Sequence, residues 1–510
     1  MRKTLLSLAL LALVANACGG SASSTRGPNQ GAAPPVDHHL PTYPPVQPPA
    51  PAPTPYGGVT YQDPGENPWV DPNRDEHSTF ALDVDTASYT IARRYVHDGH
   101  RPDPASIRVE EWVNAFDQGY PAPEEDAFAI LADGGPTPFS AEDEVLLRIG
   151  LQARAVANRD RQPVSLTFVI DTSGSMAQGE RLEMVKDAMR ILIRGLGKGD
   201  RVSIVTFGNE AVVALGPTAA EDEGPILDAI DRLQPGGSTN LEAGLRLGYE
   251  LARRILTENG IDRVVLASDG VANVGLTDPD SILESISRDA SAGIELVSVG
   301  VGMGNYNDVL LEQLADHGDG FYAYINTRDE ARKLFSENLT STLQTVALDA
   351  KAQVTFDPKT VASYRLVGYE NRAVADRDFS NDEVPAGAIG AGHAVTALYA
   401  LQLQPEVGPR SPIARVTVRW TDPNRGGARD LGRDVTVADL AGSFTDTDPH
   451  FRLDAIVAQT AAVLRRSESA GLVDIRDVAD VAARESRNLP PTDDVHDFLD
   501  LLDELGQLRN

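Results

Sequence analysis

Between Pro163 and Ser175 the chain reads PVSLTFVIDTSGS: a mostly apolar run, Val164 to Ile170, interrupted only by Ser165 and Thr167, that stops on Asp171-Thr172-Ser173-Gly174-Ser175. Seven residues is strand length, and a run this rich in valine, leucine, phenylalanine and isoleucine reads as a buried strand. Reading outward, Arg181 to Arg194 has helical period, with Leu182, Val185, Met189 and Leu192 on one face. Val202–Phe207 is a second strand and Glu210–Leu215 a third beside it, followed by helices at Glu223–Leu233 and Leu241–Ile255. Val264–Ala267 is a strand ending at Ser268-Asp269-Gly270. A helix at Pro279–Arg288, a strand at Ile294–Val299 and a helix at Asn307–Asp316 come next. Strand Phe321–Ile325 and a helix at Arg328–Leu343 close the series. Such alternation predicts an α/β unit, a doubly wound and mostly parallel sheet with helices on both faces. Ligands of these sheets bind at the carboxyl ends of the strands.

Three polar clusters stand at those ends: Asp171 to Ser175, Gly236 to Asn240 at a helix start, and Ser268 to Gly270. By itself D-x-S-x-S also suits a strand-to-helix turn whose side chains cap backbone amides. Together with Thr239 and a strand-terminal Asp269, it resembles the metal-ion-dependent adhesion site of von Willebrand factor type A (VWA) domains. All five positions are present in that family's order. Asp171, Ser173, Ser175 and Thr239 offer one carboxylate and three hydroxyls, a hard oxygen set that selects Mg²⁺, with Mn²⁺ or Ca²⁺ as alternatives. The resemblance implies that these four hold the ion directly or through water, and that Asp269 acts through a water. It also implies an open coordination position, which the carboxylate of a protein or polymer partner fills.

The 510 residues allow two to four domains. With 45 basic against 75 acidic side chains, the net charge is −30. A surface that negative repels phosphate backbones and argues against nucleic acid as partner. The single cysteine, Cys18, excludes an intramolecular disulfide and a cysteine-rich zinc site.

Arg2 and Lys3, then an apolar run from Leu5 to Ala15, predict a signal peptide over residues 1–17, too short to span a bilayer. Cys18 at its end resembles a bacterial lipobox, although Ala15 stands where leucine is usual. The expectation is cleavage before a diacylated Cys18 and a lipid-anchored protein of the cell envelope. Gly19 supplies no retention acid, so the outer membrane is the expected face. Residues 18–75 form a proline-rich tether: Pro28 to Pro72 holds 14 of the 34 prolines, which favours extended polyproline II.

The flanks extend the resemblance. STFALDVDTASY (Ser78–Tyr89), RVEEWVNAF (Arg108–Phe116) and LLRIGLQ (Leu146–Gln152) look like the N-terminal module, here residues 76–158, of a bacterial family of VWA lipoproteins. YRLVGYENR (Tyr364–Arg372) and FSNDEV (Phe379–Val384) look like its C-terminal extension. Helices are expected at Thr86–Val96 and Pro104–Phe116. After a VWA unit at 159–345, alternating runs at Ala352–Phe356, Val395–Leu401 and Ala414–Trp420 predict a β-rich region, 346–445, of antiparallel strands. Phe451–Arg465, Ile475–Ser486 and Asp494–Leu508 predict helices over 446–510. Strands Val145–Gln152 and Ala352–Phe356, which enter and leave the VWA unit, are expected to pair with each other.

Other motifs weigh less. Gly300-Val301-Gly302-Met303-Gly304 lacks the glycine spacing of a dinucleotide fingerprint, and His97 to His100 reads as a turn between helices. His393 reads as structural. No catalytic elbow, zincin motif or Walker loop occurs, so the expectation is a binding protein and not an enzyme. The rival readings are an assembly scaffold with a structural metal and a metal-assisted hydrolase.

Overall fold

The computed structural model describes residues 61, 63–82, 85–141, 144–256, 260–269, 282, 293–302, 308–318, 320–325, 327–332, 343–381, 384, 386–423 and 426–508. Cys18, most of the tether, Gly270, all but residue 282 of the helix expected at 279–288 and most of that expected at 328–343 lie outside these residues.

In chain order the first elements are β1 (His77–Ala81), α1 (Ala87–His97), α2 (Val109–Val113), β2 (Phe128–Gly135) and β3 (Glu144–Ala153). The central unit holds β4 (Val164–Asp171), α3 (Arg181–Gly195), β5 (Arg201–Phe207), β6 (Ala211–Ala219), α4 (Glu223–Asp231) and α5 (Leu241–Arg253). It continues with β7 (Ile261–Ser268), β8 (Ile294–Val301), α6 (Asp308–His317), β9 (Tyr322–Ile325) and α7 (Arg328–Arg332). The chain then adds β10 (Thr345–Phe356), β11 (Val361–Val367), β12 (Gly387–Gly390), β13 (Ala394–Leu403), β14 (Pro412–Thr421) and β15 (Ala428–Thr436). It ends in α8 (Pro449–Arg465), α9 (Ile475–Glu485) and α10 (Asp493–Gln507).

The central sheet has the order β6-β5-β4-β7-β8-β9. All its pairs are parallel except β5 with the edge strand β6. Every residue of β4 is buried, Ser165 and Thr167 included, because helices cover the sheet on both faces. Leu166, Phe168 and Ile170 meet Leu182, Val185 and Met189 of α3 and Ile226 of α4. On the other face Val169 packs with Leu245 and Tyr249 of α5 and Leu311 of α6. Ile91 and Tyr95 of α1 join that second core. A cut between residues 158 and 159 therefore divides the chain but not the packing.

The flanks build a β-sandwich. One sheet runs β1-β10-β14-β15, with β12 also on β10, and the other runs β11-β13-β3-β2. The expected pairing of the strand entering the VWA unit with the strand leaving it is therefore wrong: β3 and β10 lie in separate sheets. Their side chains nevertheless share one core, Leu147, Ile149 and Leu151 against Ala352, Val354 and Phe356. The strands face each other because each is flanked on both edges, β3 by β13 and β2, β10 by β1 and β14. The outer face of the second sheet, with Leu146 and Leu398, is covered by Trp112 of α2, Phe451 of α8 and Phe498 of α10.

The helix expected over Pro104–Phe116 is also corrected, to a single 3₁₀ turn at Pro104–Ser106 and the short α2. Ile107 and Arg108 are extended between them, and the Arg108 amide donates to the Ser88 hydroxyl at 2.9 Å. That conformation sends the Arg108 guanidinium to Glu312 of α6 at 2.9 Å. Arg372 binds the same Glu312 at 3.1 Å and Asp85 at 2.9 Å, so buried ion pairs fasten the central unit to its frame.

Candidate metal centre

Three loops meet at the carboxyl edge of the central sheet. Asp171 is the last residue of β4 and fully buried. Its Oδ1 accepts the Ser173 amide at 2.8 Å, and its Oδ2 accepts the Ser268 hydroxyl, at the end of β7, at 2.7 Å. The Ser173 and Ser175 hydroxyl oxygens stand 3.0 Å apart. The Gly236–Asn240 loop is tied to this strand end by its backbone. Gly236 N–H donates to Thr172 O at 2.6 Å, and Gly174 N–H donates to Gly237 O at 3.0 Å. Asn240 caps α5, accepting the Ala243 amide, and the buried Thr239 precedes it directly. Asp269 follows β7 and is buried. The five residues singled out in the sequence thus come from three loops in direct contact.

Burial pushes the Asp171 carboxyl up to about 6, and the neighbouring Asp269 charge pushes the same way. Hydrogen bonds from Ser173 and Ser268 oppose both. Asp269 Oδ2 accepts from the Arg181 guanidinium at 2.7 Å, in a pair with almost no solvent contact. Asp269 Oδ1 is buried without a hydrogen-bond partner among the described residues.

The residues present fit a divalent cation. Two buried carboxylates face one arginine, which leaves a negative charge over. One carboxylate oxygen has no donor, and two adjacent hydroxyls have lone pairs to give. A hard, oxygen-preferring cation answers each of these, and such a set favours Mg²⁺ over softer metals. Among the described residues no group of three or more His, Cys, Asp or Glu side chains assembles as an alternative metal cluster.

Arg181 was not legible as part of the site. It opens α3, where a cation meets the unfavourable end of the helix dipole, and that placement is the one sequence signal of a specific partner. Gly302, inside the motif set aside as a dinucleotide decoy, has φ +72°, and a Cβ there would come within 2.3 Å of Arg181 Nε. Its glycine makes room for the arginine.

This sheet and its three loops define a VWA domain set in a β-sandwich frame. A von Willebrand factor type A domain family model matches residues 166–271, and a von Willebrand factor model matches residues 56–148. A model of the C-terminal region of uncharacterized protein YfbK matches residues 341–508. The chain is 38% identical over 355 residues to uncharacterized protein YfbK of Escherichia coli, an alignment covering 68% of this chain and 62% of that protein. It is 27% identical over 307 residues to uncharacterized protein sll0103 of Synechocystis, covering 59% and 72%. Among solved structures, a von Willebrand factor type A protein from Catenulispora acidiphila matches with TM-score 0.47 and 16% identity, over 76% of this chain and 91% of that one. The chain is a bacterial VWA-containing protein with a C-terminal region of the YfbK type. It spans about three fifths of the YfbK relative. VWA domains typically mediate protein interactions.

Proposed function

We propose that this protein is a lipid-anchored envelope protein that grips a carboxylate of a protein or polymer partner at a divalent-metal site made by Asp171, Ser173, Ser175, Thr239 and Asp269. The observation that carries the reading is the convergence of three loops on a buried carboxylate raised to about 6, with an undonated Asp269 oxygen beside it. A Mg²⁺ ion bound there supplies a positive charge and a coordination position for the partner's carboxylate. The chain's own residues do the rest. Asp171 and Asp269 supply the negative charge, and Arg181 neutralises part of it. The three hydroxyls are neutral, so the held charge stays uncompensated toward solvent. Neither carboxylate is left over to serve as a general base, which favours binding over hydrolysis.

Cys18 is the proposed point of lipidation, on the strength of its place after the apolar leader. Acyl burial at ~0.8 kcal/mol per CH₂ would hold the chain to the bilayer, and Gly19 favours the outer membrane. Labelling with a palmitate analogue, for the wild type against Cys18→Ser, tests this part separately.

Pull-down from an envelope extract with Mg²⁺, with chelator, and with Asp171→Ala tests the function. The reading expects capture in the first case alone, with the circular-dichroism spectrum of the variant unchanged. A variant that unfolds points to a structural metal in an assembly scaffold, and capture in chelator refutes the metal-dependent grip.

A further inference from the structure

The open edge of the central sheet lies beside the candidate metal centre. Of the sheet's two edge strands, β9 is wholly buried, whereas no residue of β6 is buried. Five large apolar side chains are exposed among the described residues, and two of them, Val212 at 58% and Val213 at 43%, stand in succession on β6. Successive side chains of a strand point to opposite faces, so β6 overhangs the helix layers on both sides. Edge strands usually carry a charge, a proline or a bulge that stops another strand from pairing with them. In a chain 24% charged, no charged residue occurs from Ala211 to Ala220. The far half of β6 holds Gly216 and Pro217, where its register with β5 shifts. The start of β6 has no such device: Ala211, Val212 and Val213 pair with Phe207, Thr206 and Val205 in regular register.

That start adjoins the site. Phe207 pairs with both Asp171 and Ala211, so Ala211 is two strand spacings, ~10 Å, from Asp171. The Gly208–Glu210 turn leading into β6 is tied to the loop that bears Thr239. Asn240 N–H donates to Gly208 O at 3.0 Å, and Asn209 Oδ1 accepts the Ser238 amide at 2.8 Å.

Charge selects the occupant. Exposed acids bracket β6, Glu210 before it and Glu221, Asp222 and Glu223 after it, with Arg201 opposite Ala219. A second copy of β6 laid antiparallel along it would bring Glu210 of each copy toward the Glu221–Glu223 cluster of the other. Like charges across paired strands are destabilising. A strand of another protein, uncharged in the middle and basic at one end, meets the same edge with complementary charge.

We propose that a β-strand of the partner protein adds to β6, antiparallel to it, with its basic end toward Glu221–Glu223, and leads at its other end into the acidic residue held at the metal. Backbone hydrogen bonds supply the affinity of strand addition, and contacts with Val212 and Val213 the preference for apolar side chains. The place of the acidic residue rests on the metal-dependent grip proposed above; the pairing with β6 does not. The added strand lies three strand spacings, ~14 Å, from Asp171, a gap that about four extended residues span.

The test is an anisotropy titration of the full chain with a fluorescein-labelled peptide of two lysines, three Thr-Val repeats, three glycines and a final aspartate. In Mg²⁺, saturable binding is expected, weakened at least ~10-fold by Val212→Lys or Val213→Lys. Both positions are exposed, so each variant should keep the wild-type circular-dichroism spectrum. N-methylation of alternate strand residues should abolish binding for one set and spare it for the other, as pairing along a single edge requires. Chelator, or asparagine for the peptide's aspartate, should weaken binding. If neither does while the lysine variants still bind weakly, the metal grip fails and the pairing stands. The proposal is overturned if both lysine variants or both methylated peptides match the unmodified pair, or if the wild type binds in neither Mg²⁺ nor chelator. It is equally overturned if sedimentation shows a wild-type dimer that Val213→Lys dissolves, which gives the edge to a second copy.

Discussion

Asp171 is held against its own preference: burial and Asp269 both favour its protonated form. A cation binds the ionised form, so Mg²⁺ affinity should be level above pH 6 and fall about tenfold per unit below it. Titration calorimetry between pH 5 and 7.5 checks this, and a flat profile would contradict it. Arg181 gives a second prediction. Arg181→Gln leaves Asp269 buried without its cation, a change that costs about 3–5 kcal/mol in other buried pairs. In chelator this variant should melt well below the wild type, and saturating Mg²⁺ should restore much of the difference. Equal deficits in chelator and Mg²⁺ would remove Arg181 from the site's electrostatics. The ligand set itself was readable from the sequence, because each member follows a strand or opens a helix. Arg181 was not, since its partner lies 88 positions away.

Among the elements, α5 does most to place Thr239, because the loop that bears it leads directly into this helix. Gly244 and Gly248, one turn apart, let α5 lie close on the sheet. A Cβ on Gly248 would stand 2.4 Å from Val169 Cγ2, and one on Gly244 2.7 Å from Phe207 Cδ1. Gly248→Ala should cost about 1–3 kcal/mol by overpacking and weaken Mg²⁺ binding through displacement of the Thr239 loop. Chemical denaturation with parallel Mg²⁺ titration measures both, and an unchanged midpoint would show that the helix adjusts freely. The long apolar strands and the C-terminal helices were legible because their periodicity persists over several turns or a full strand. The break in the expected 104–116 helix was not, because Arg108 turns toward Glu312, a residue more than 200 positions on. Strands β2, β11 and β15 also escaped notice: their burial is partial and their polar residues interrupt the alternation.

At the scale of the whole molecule, the VWA unit is an insertion between facing strands of a sandwich. Sequence order showed the insertion but not the pairing, since both β3 and β10 read as buried strands and nothing local tells a neighbour from a facing partner. His393 sits at this junction, half-buried, its ring 6.5 Å from that of Phe321 and its buried Nδ1 without a hydrogen-bond partner among the described residues. Burial, helped by the charge of Arg263, lowers its pKa to about 4 from 6.5. The folded state therefore binds fewer protons than the unfolded state between those values, so stability is full above pH 6.5 and falls as pH drops toward 4. The loss is on the order of 3 kcal/mol. His393→Phe should flatten this limb by that amount in urea titrations at pH 7 and 4.5; an unchanged difference would show that other groups set the acid limb.

The central claim is that this edge of the sheet holds one divalent cation. Calorimetric titration of Mg²⁺ into the metal-stripped full chain, wild type against Asp171→Asn, tests it most directly. The account predicts one ion per wild-type chain and none for a variant that keeps its circular-dichroism spectrum. Equal uptake by the two, or no uptake by the wild type, would contradict it.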